Sequence, residues 1–148
     1  MNCDSIMSPV TSTLLKDDAV ADALTALVEQ GAAALPVVDA AGQFLGLFGM
    51  REVVGMLLPR AALLADGLDL SFVGDSITQL GDHLGRLAGD SVGAHMAAHR
   101  SIRRETALVE ALLLLYRGDA WLPVVDGNGR LEGIVTAANA LARISEAV

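Results

Sequence analysis

A chain of 148 residues is long enough for one good-sized hydrophobic core, or for two small repeats that share one. Its net charge of −8 argues against a nucleic-acid or anionic-membrane partner, and its single cysteine excludes an intramolecular disulfide and favours the cytoplasm. Hydrophobic residues make up 53% of the chain and aromatic residues only 3%, so its apolar surface is aliphatic, and we take this as favouring a homodimer. No uninterrupted apolar stretch reaches the roughly 20 residues that a bilayer span needs.

The chain begins with a segment that predicts a strand and then a helix. Residues 7–15 are rich in β-branched side chains and indicate an extended lead-in with a short edge strand. Asp17 and Asp18 can accept hydrogen bonds at the start of a helix, and Gly31 is placed to stop it. One helical face carries apolar residues at spacings of three and four: Val20, Ala23, Leu24, Leu27 and Val28.

A β-hairpin and a second helix follow. Residues 34–38 and 44–48 predict the two strands, and residues 50–58 predict the helix. Further along, Ser76 and Gln79 have the spacing of a capping box, in which each side chain bonds the backbone of the other residue. We therefore expect a connector that is partly helical.

The second half of the chain predicts the same order of elements. Thr106 can cap a helix that Gly118 stops, and the strands are expected at 121–125 and 131–135, followed by a last helix at 137–144. The apolar stripe of the first of these helices consists of Leu108, Ala111, Leu112, Leu115 and Tyr116.

The two halves are copies of one design. The pentapeptide Leu-Pro-Val-Val-Asp occurs at 35–39 and again at 122–126, which is a separation of 87 positions. Glycines at 42 and 46 recur at 129 and 133 with the same separation. An internal duplication explains this agreement in order and spacing.

The repeated pattern, with Val20-x-x-Ala23-Leu24 before the pentapeptide and Gly133-Ile134-Val135-Thr136 after its second occurrence, resembles the cystathionine β-synthase (CBS) domain. The resemblance implies an α+β fold of two βαββα repeats, packed with pseudo-two-fold symmetry. It places the first repeat at 1–59, the helical connector at 60–91 and the second repeat at 92–148. It also implies clefts between the repeats for an adenosine-containing ligand (AMP, ADP, ATP or S-adenosylmethionine), and assembly into dimers.

In this family, Thr or Ser followed three residues later by Asp or Asn marks a cleft that can hold a ribose, and the second copy has Thr136 and Asn139 at that spacing. A strand that runs into a helix places both side chains on the first helical turn, beside backbone amides that favour phosphate. The alternative is that Thr136 only caps the helix.

The remaining contacts of this cleft are expected from nearby segments of the second copy. Ile102, Leu122 and Pro123 would form an apolar slot for the base. Three arginines, Arg100, Arg103 and Arg104, are the densest basic cluster and could meet phosphates, although a solvated turn is the simpler explanation of them.

The first copy departs from the ribose pattern. Gly49 stands where Thr or Ser is expected, and Glu52 stands where Asp or Asn is expected. We therefore expect a weaker cleft beside Leu35, Pro36 and Glu52.

No catalytic constellation is evident. His95 and His99 have a spacing that can bind zinc, but no third ligand is close in sequence, and surface histidines are the simpler interpretation. Cys3 has no base beside it. We therefore expect a protein that is not an enzyme and requires no cofactor or metal.

The sequence thus predicts a stand-alone regulatory module that binds an adenosyl ligand in a cleft between its repeats. The alternative is a structural module for dimerisation or docking without a nucleotide. In either case the homodimer interface is expected on helices that include Val53, Val54, Leu57 and Leu141. No nucleic acid or membrane partner is expected, and the sequence identifies no effector protein.

Overall fold

The computed structural model describes residues 2–58, 76–119 and 121–148. After a short 3-10 helix (Cys3–Ser5), the first half contains β1 (Leu14–Leu15), α1 (Val20–Gln30), β2 (Ala34–Val38), β3 (Phe44–Gly49) and α2 (Met50–Leu57). The second half contains α3 (Ile77–Leu87), α4 (Val92–His95), α5 (Leu108–Tyr116), β4 (Trp121–Val125), β5 (Leu131–Thr136) and α6 (Ala137–Ser145). The α+β fold with duplicated helix–strand–strand–helix order is confirmed.

The chain divides into two compact units that interleave in sequence. The second-copy unit comprises Met1–Thr13, Val38–Gly46 and Ala98–Val148. The first-copy unit comprises Leu14–Val37 and Leu47–Ala97. The segment before β1 therefore packs with the second copy, and the segment that ends at Ala97 packs with the first. The predicted boundary at residues 59 and 60 lies outside the described residues.

Each unit has its own hydrophobic core. In the first-copy unit the buried residues are Leu14, Val20, Ala23, Leu27, Leu35, Val37, Phe48, Val53 and Val92. In the second-copy unit they are Cys3, Ile6, Ile102, Ala111, Leu122, Val124, Val135 and Ala140. Both cores have a helix whose apolar stripe covers the hairpin strands, as the periodicity predicts.

The strand order explains how the terminal segments join these units. Strands β1, β2 and β3 form one sheet in that order, and β4 pairs antiparallel with β5. Ser8 pairs with Ile134 on β5 in the second-copy unit, and Ala97 pairs with Leu47 on β3 in the first-copy unit. Each hairpin is therefore extended at its edge by the segment that precedes the other copy's first helix.

The helix stop at Gly31 and the connector cap are as predicted, whereas the C-cap of α5 is Arg117, one residue before the predicted Gly118. Gly31 ends α1 with φ of 60°, a left-handed conformation in which glycine has no side chain to clash. The Ser76 hydroxyl accepts a hydrogen bond from the Gln79 amide, and the Gln79 side chain accepts one from the Ser76 amide, which forms the capping box at the start of α3.

The predicted caps of α1 and α5 are wrong. The N-cap of α1 is Ala19, and neither Asp17 nor Asp18 caps it, since the Asp18 carboxylate accepts a hydrogen bond from the preceding turn. The N-cap of α5 is Ala107, and the hydroxyl of Thr106 likewise accepts a hydrogen bond from the turn before the helix. In both places the side chain closes a turn and the helix begins one or two residues later.

Two members of the predicted apolar stripes and one predicted interface residue are also misplaced. Val28 and Tyr116, at the last turns of their helices, are 63% and 88% exposed. Val53 is buried in the first-copy core, so it cannot contact a partner chain.

Helix α4 ends at His95, so His95 and His99 do not share a helical face. Among the described helices, none is long and apolar enough to cross a membrane.

Candidate ligand-binding clefts

The N-terminus of α6 carries the predicted ribose motif. Strand β5 runs directly into this helix, and Thr136 is its N-cap in an extended conformation. The Thr136 hydroxyl accepts a hydrogen bond from the Asn139 amide at 3.1 Å. Thr136 therefore does cap the helix, and the cap places the Asn139 side chain on the first turn.

A second hydrogen bond fixes the orientation of the Asn139 carboxamide. Its Nδ2 donates to the Ser8 hydroxyl at 2.5 Å. Ser8 is itself held by two backbone hydrogen bonds to Ile134, of 2.8 and 2.9 Å. The Asn139 Oδ1 accepts no hydrogen bond from the part of the chain that the structure describes, so it can accept one from a ligand.

These residues line a cleft of about 380 Å³, which we name the Asn139 cleft. Its walls are the N-terminal segment and one side of α6, with the lining residues Asp4, Ser5, Ile6, Met7, Ser8, Asn139, Ala142 and Arg143. Arg143 donates to the Ser5 carbonyl at 3.1 Å and to Glu146 at 2.8 Å. The cleft thus combines a carboxamide, a hydroxyl and a guanidinium.

Sequence reasoning missed the N-terminal half of this wall. Met7-Ser8 lies 89 residues before Met96-Ala97, close to the repeat separation, and this weak correspondence was the available signal. Because residues 4–8 directly precede the first copy in sequence, they are assigned to that copy when only the sequence is considered, whereas the structure places them in the second-copy unit.

The first-copy unit has an equivalent cleft of about 570 Å³, which we name the Glu52 cleft. Its lining residues are Met50, Arg51, Glu52, Val54, Gly55, Leu58, His95, Met96 and Ala97. Glu52 takes the place of Asn139, and Ala97 takes the place of Ser8 as the edge residue that pairs with the hairpin. The hydroxyl that orients the amide in the Asn139 cleft is therefore replaced by a methyl group.

Packing explains why the first copy lacks the Thr of the motif. A Cβ on Gly49 would lie 2.7 Å from the Cβ of Ala34 and would also clash with the Ala33 carbonyl. The Ala33 carbonyl accepts a hydrogen bond of 2.8 Å from the Met50 amide at the start of α2. It therefore cannot move away from position 49 without losing this hydrogen bond. Glycine is thus required at position 49.

Glu52 makes a different capping bond from that of Thr136: it accepts the amide of the N-cap residue Gly49, whereas Thr136 accepts the amide of Asn139, three residues into its helix. The Glu52 Oε1 accepts a hydrogen bond from the Gly49 amide at 2.9 Å, and its Oε2 lies 3.5 Å from Arg51. The side chain is 11% exposed. Because the carboxylate is already bonded, less of it is available to a ribose than of Asn139. Leu35 and Pro36, expected beside this cleft, are buried.

The expected base slot lies along the sheet and not in the wall of the Asn139 cleft. The Ile102 amide donates to the Pro123 carbonyl at 2.9 Å, so the segment at Ile102 forms an edge beside β4. Leu122 is fully buried and Ile102 is 6% exposed. Their side chains belong to the core, and both backbone groups of Ile102 are bonded to β4.

Two of the three arginines are paired with carboxylates. The Nε of Arg100 lies 3.2 Å from Asp119, and the Nε of Arg104 lies 3.0 Å from Glu132. The hydrogen bond that Arg104 donates to Glu132 raises the pKa of Arg104. Arg103 is exposed, and no carboxylate of the described residues lies within ion-pair distance of it.

The histidines are engaged separately. His95 Nε2 lies 2.8 Å from Asp90, and His99 Nδ1 lies 2.7 Å from the Arg100 carbonyl. Within residues 2–58, 76–119 and 121–148, no group of three His, Cys, Asp or Glu side chains could hold a metal ion. Burial raises the pKa of the Cys3 thiol, and the charge of Glu110 raises it further, which disfavours a reactive thiolate.

Residues 3–58 and 96–146 match the family model of the CBS domain. The chain is similar to the solved structure of CBSX2 in complex with AMP, at 26% identity and a TM-score of 0.72, with 99% of this chain and 97% of that chain covered. It is also similar to the CBS-pair protein CBSX2 from Arabidopsis thaliana, at 27% identity and a TM-score of 0.74, covering 99% and 95% of the two chains. A hypothetical conserved protein from Geobacillus kaustophilus shares the fold at 19% identity, with a TM-score of 0.77 over 100% and 98% of the chains. None of the curated proteins matches this chain in sequence.

Proposed function

Because this chain belongs to the CBS domain family, we propose that it is a regulatory module that binds an adenine nucleotide in the Asn139 cleft. The observation that carries the proposal is the orientation of Asn139, whose amide nitrogen is held by Ser8 while its Oδ1 remains free to accept a ribose hydroxyl. The similarity to CBSX2, whose structure holds AMP, supports an adenylate as the ligand.

The chemistry of the cleft fits a nucleoside monophosphate. A ribose diol can donate to the Asn139 Oδ1 and accept from the remaining N–H of its amide. Arg143, at the wall of the same cleft, supplies the positive charge that a phosphate needs in a protein of net charge −8. We propose that the base lies against the chain segments that contain Ile102, Leu122 and Pro123, where the ligand would have to displace part of the core, and that phosphates contact Arg100 and Arg103. ADP, ATP and S-adenosylmethionine share the adenosyl group and are the other candidates.

The proposed role is regulatory and not catalytic. The module would act through a ligand that binds one state of the protein more tightly than another, which shifts the population of the two states. A homodimer in the cytoplasm is the setting that the composition and the single cysteine favour. Val54 and Leu141, expected at the dimer interface, are 55% and 62% exposed and so are accessible to a partner chain.

Titration calorimetry with AMP tests the proposal. We expect saturable binding to the wild type, and a severalfold weaker affinity for Asn139→Ala, since each neutral hydrogen bond contributes about 0.5–1.5 kcal/mol. The matched control is Asn128→Ala, which removes an exposed carboxamide from the turn between β4 and β5. If the wild type does not bind AMP at millimolar concentration, or if Asn139→Ala binds as tightly as Asn128→Ala, the proposal is wrong.

A further inference from the structure

The Glu52 cleft is lined by three side chains with lone pairs that suit a soft metal ion. Met50, His95 and Met96 all line it, and the two methionine side chains also pack against the first-copy core. The backbones of Leu47 and Ala97 exchange hydrogen bonds of 2.9 and 2.8 Å. This bridge holds the segment that contains His95 and Met96 beside the start of α2, where Met50 is the first residue. Two thioethers and an imidazole from two chain segments thus line one cleft.

The imidazole of His95 is held in the way that metal-binding histidines are held. Its Nε2 lies 2.8 Å from the Asp90 carboxylate, so Nε2 donates the proton and the lone pair of the neutral ring is on Nδ1. Nδ1 has no hydrogen-bond partner among the residues that the structure describes. A histidine that binds a metal almost always donates its other ring N–H to a carboxylate, a carbonyl or a water, which fixes the tautomer and the ring orientation.

The donor set indicates which ion would bind. Thioether sulfur is a soft ligand that selects Cu(I), and imidazole suits copper as well. Zinc is bound by thiolate, imidazole and carboxylate groups, so this site differs from the zinc site considered for His95 and His99. The carboxylate of Glu52 favours a cation in the same cleft. The guanidinium of Arg51, although it also lines the cleft, is 90% exposed, so solvent screens its charge.

The duplication shows that the fold does not require these three side chains. The hairpins and the helices that follow them are 87 positions apart, and the edge segments are 89 positions apart. By these separations, the residues of the second-copy unit that correspond to Met50, His95 and Met96 are Ala137, Ile6 and Met7. The second copy therefore builds the same helix start and edge segment with one thioether and no imidazole. One methionine is an ordinary gap filler of a core, whereas packing does not account for the full set in the first copy.

We propose that the Glu52 cleft binds Cu(I) through the sulfur atoms of Met50 and Met96 and the Nδ1 of His95, with Asp90 as the residue that positions the imidazole. The site would bind the ion without electron transfer. The inference goes beyond the nucleotide proposed for the Asn139 cleft and does not depend on it. It departs from the expectation that no metal binds, which considered the histidines without the methionines.

Competition with bicinchoninate, a chelator that is coloured when it holds Cu(I), measures the affinity under anaerobic, reducing conditions. We expect the wild type to take up one Cu(I) per chain and to gain thermal stability, because the ion binds the folded state. Cys3 is the only thiol of the chain and is buried. Cys3→Ala should therefore bind Cu(I) as tightly as the wild type.

Substitution of each ligand tests the donor set. Met50→Leu, Met96→Leu and His95→Gln each remove one ligand with little change of volume. Loss of an outer-shell partner weakens metal affinity by about 10–100-fold, so loss of a ligand should raise the Kd by about 100-fold or more. The matched control is Met56→Leu, because Met56 packs against the same core from the same helix but does not line the cleft. Its Kd should equal that of the wild type.

Two substitutions of Asp90 test its positioning role. Asp90→Ala removes the oxygen that holds the His95 Nε2 and should raise the Kd for Cu(I) by about tenfold or more. Asp90→Asn keeps an oxygen that can accept the same proton and should restore most of the affinity. If Asp90→Ala binds Cu(I) as tightly as the wild type, the positioning role is wrong.

The remaining outcomes separate direct ligation from an effect on the fold. A wild type that cannot compete with bicinchoninate, or a Cys3→Ala variant that loses binding, contradicts the site, and so does a loss in Met56→Leu equal to that in Met50→Leu. X-ray absorption of the copper-loaded wild type needs no variant, and a first shell without sulfur would overturn the proposal. AMP affinity, measured separately, should be the same in Met50→Leu and the wild type, because Met50 does not line the Asn139 cleft.

Discussion

Gln43 and Arg130, which occupy the same position in the two copies, pair with each other in an antiparallel bridge. The hydrogen bonds around them repeat the duplication: the Phe44 amide donates to Gly129 at 3.0 Å, and the Leu131 amide donates to Gly42 at 3.1 Å. Each donor and acceptor differs by 87 positions from its counterpart. The turns of the two hairpins are thus joined by a contact that is symmetric because the two segments are copies.

The glycines of these turns allow a matched test. Gly42 and Gly129 have φ of 83° and 82°, but a Cβ on Gly42 would meet nothing within 4 Å, whereas one on Gly129 would lie 2.7 Å from the Gln43 side chain. Gly42→Ala should cost about 1–2 kcal/mol from backbone strain alone. Gly129→Ala should cost nearly the same, because the atom that its Cβ would meet is the Gln43 Oε1, the far end of a flexible side chain that can turn aside. Urea denaturation measures both costs, and a markedly larger cost at Gly129 would mean that the Gln43 side chain is held in place.

The core leucines of the two copies should differ in importance. The first helices of the two copies are 88 positions apart, one more than the hairpins, so Leu27 and Leu115 occupy the same position of their helices. Leu27 is fully buried, whereas Leu115 is only partly buried. Leu27→Ala should lower the free energy of unfolding by about 2–5 kcal/mol, because it leaves a cavity that the core cannot fill. Leu115→Ala should cost less. Thermal and urea unfolding of both variants check this, and a larger loss at Leu115 would mean that the second copy has the more demanding core.

Most of the fold could be predicted because it follows from local patterns. The hairpins, the connector cap at Ser76 and the helix stop at Gly31 depend on residues close in sequence, and the structure has them as predicted. The helix starts were mistaken at Asp18 and Thr106, since a side-chain oxygen can close a preceding turn as readily as it caps a helix. Propensity alone does not distinguish these two uses.

The candidate site was predictable only in part. Thr136 and Asn139 are three residues apart, so their meeting on one helical turn follows from helix geometry. Ser8 lies 131 positions from Asn139, and no local pattern reveals a contact that depends on the exchange of edge segments between the copies. The absence of a hydroxyl at Gly49 similarly reflects the close approach of Ala34, which the sequence does not show.

Asp126 should make the stability of the fold depend on pH. Its carboxylate accepts hydrogen bonds from the backbone amides of Asn128 and Arg130, at 2.8 and 3.0 Å. Both hydrogen bonds lower the pKa of Asp126, and the one from Arg130 has the larger effect. Because the folded pKa is below the unfolded one, the contribution is complete above the unfolded value, near 4, and is lost as pH falls through the folded value. Asp126→Asn should therefore be less stable than the wild type at pH 7, and the difference should shrink on acidification. A difference that is constant from pH 7 to pH 3 would contradict the linkage.

Ser8 should contribute to nucleotide affinity through Asn139 and not through the fold. Ser8→Ala removes the hydroxyl that accepts the Asn139 amide but keeps the two backbone hydrogen bonds to Ile134, so the thermal midpoint without ligand should change little. The freed carboxamide must then be ordered by the ligand, which should weaken AMP binding severalfold, by less than Asn139→Ala does. Because both substitutions remove the same hydrogen bond between Ser8 and Asn139, the double variant should bind AMP no more weakly than Asn139→Ala alone. Calorimetry of the four proteins completes the cycle, with Thr11→Ala as an exposed hydroxyl control in the same lead-in segment. Additive losses would mean that Ser8 contacts the nucleotide directly, and an unchanged affinity in Ser8→Ala would mean that Asn139 needs no support to bind.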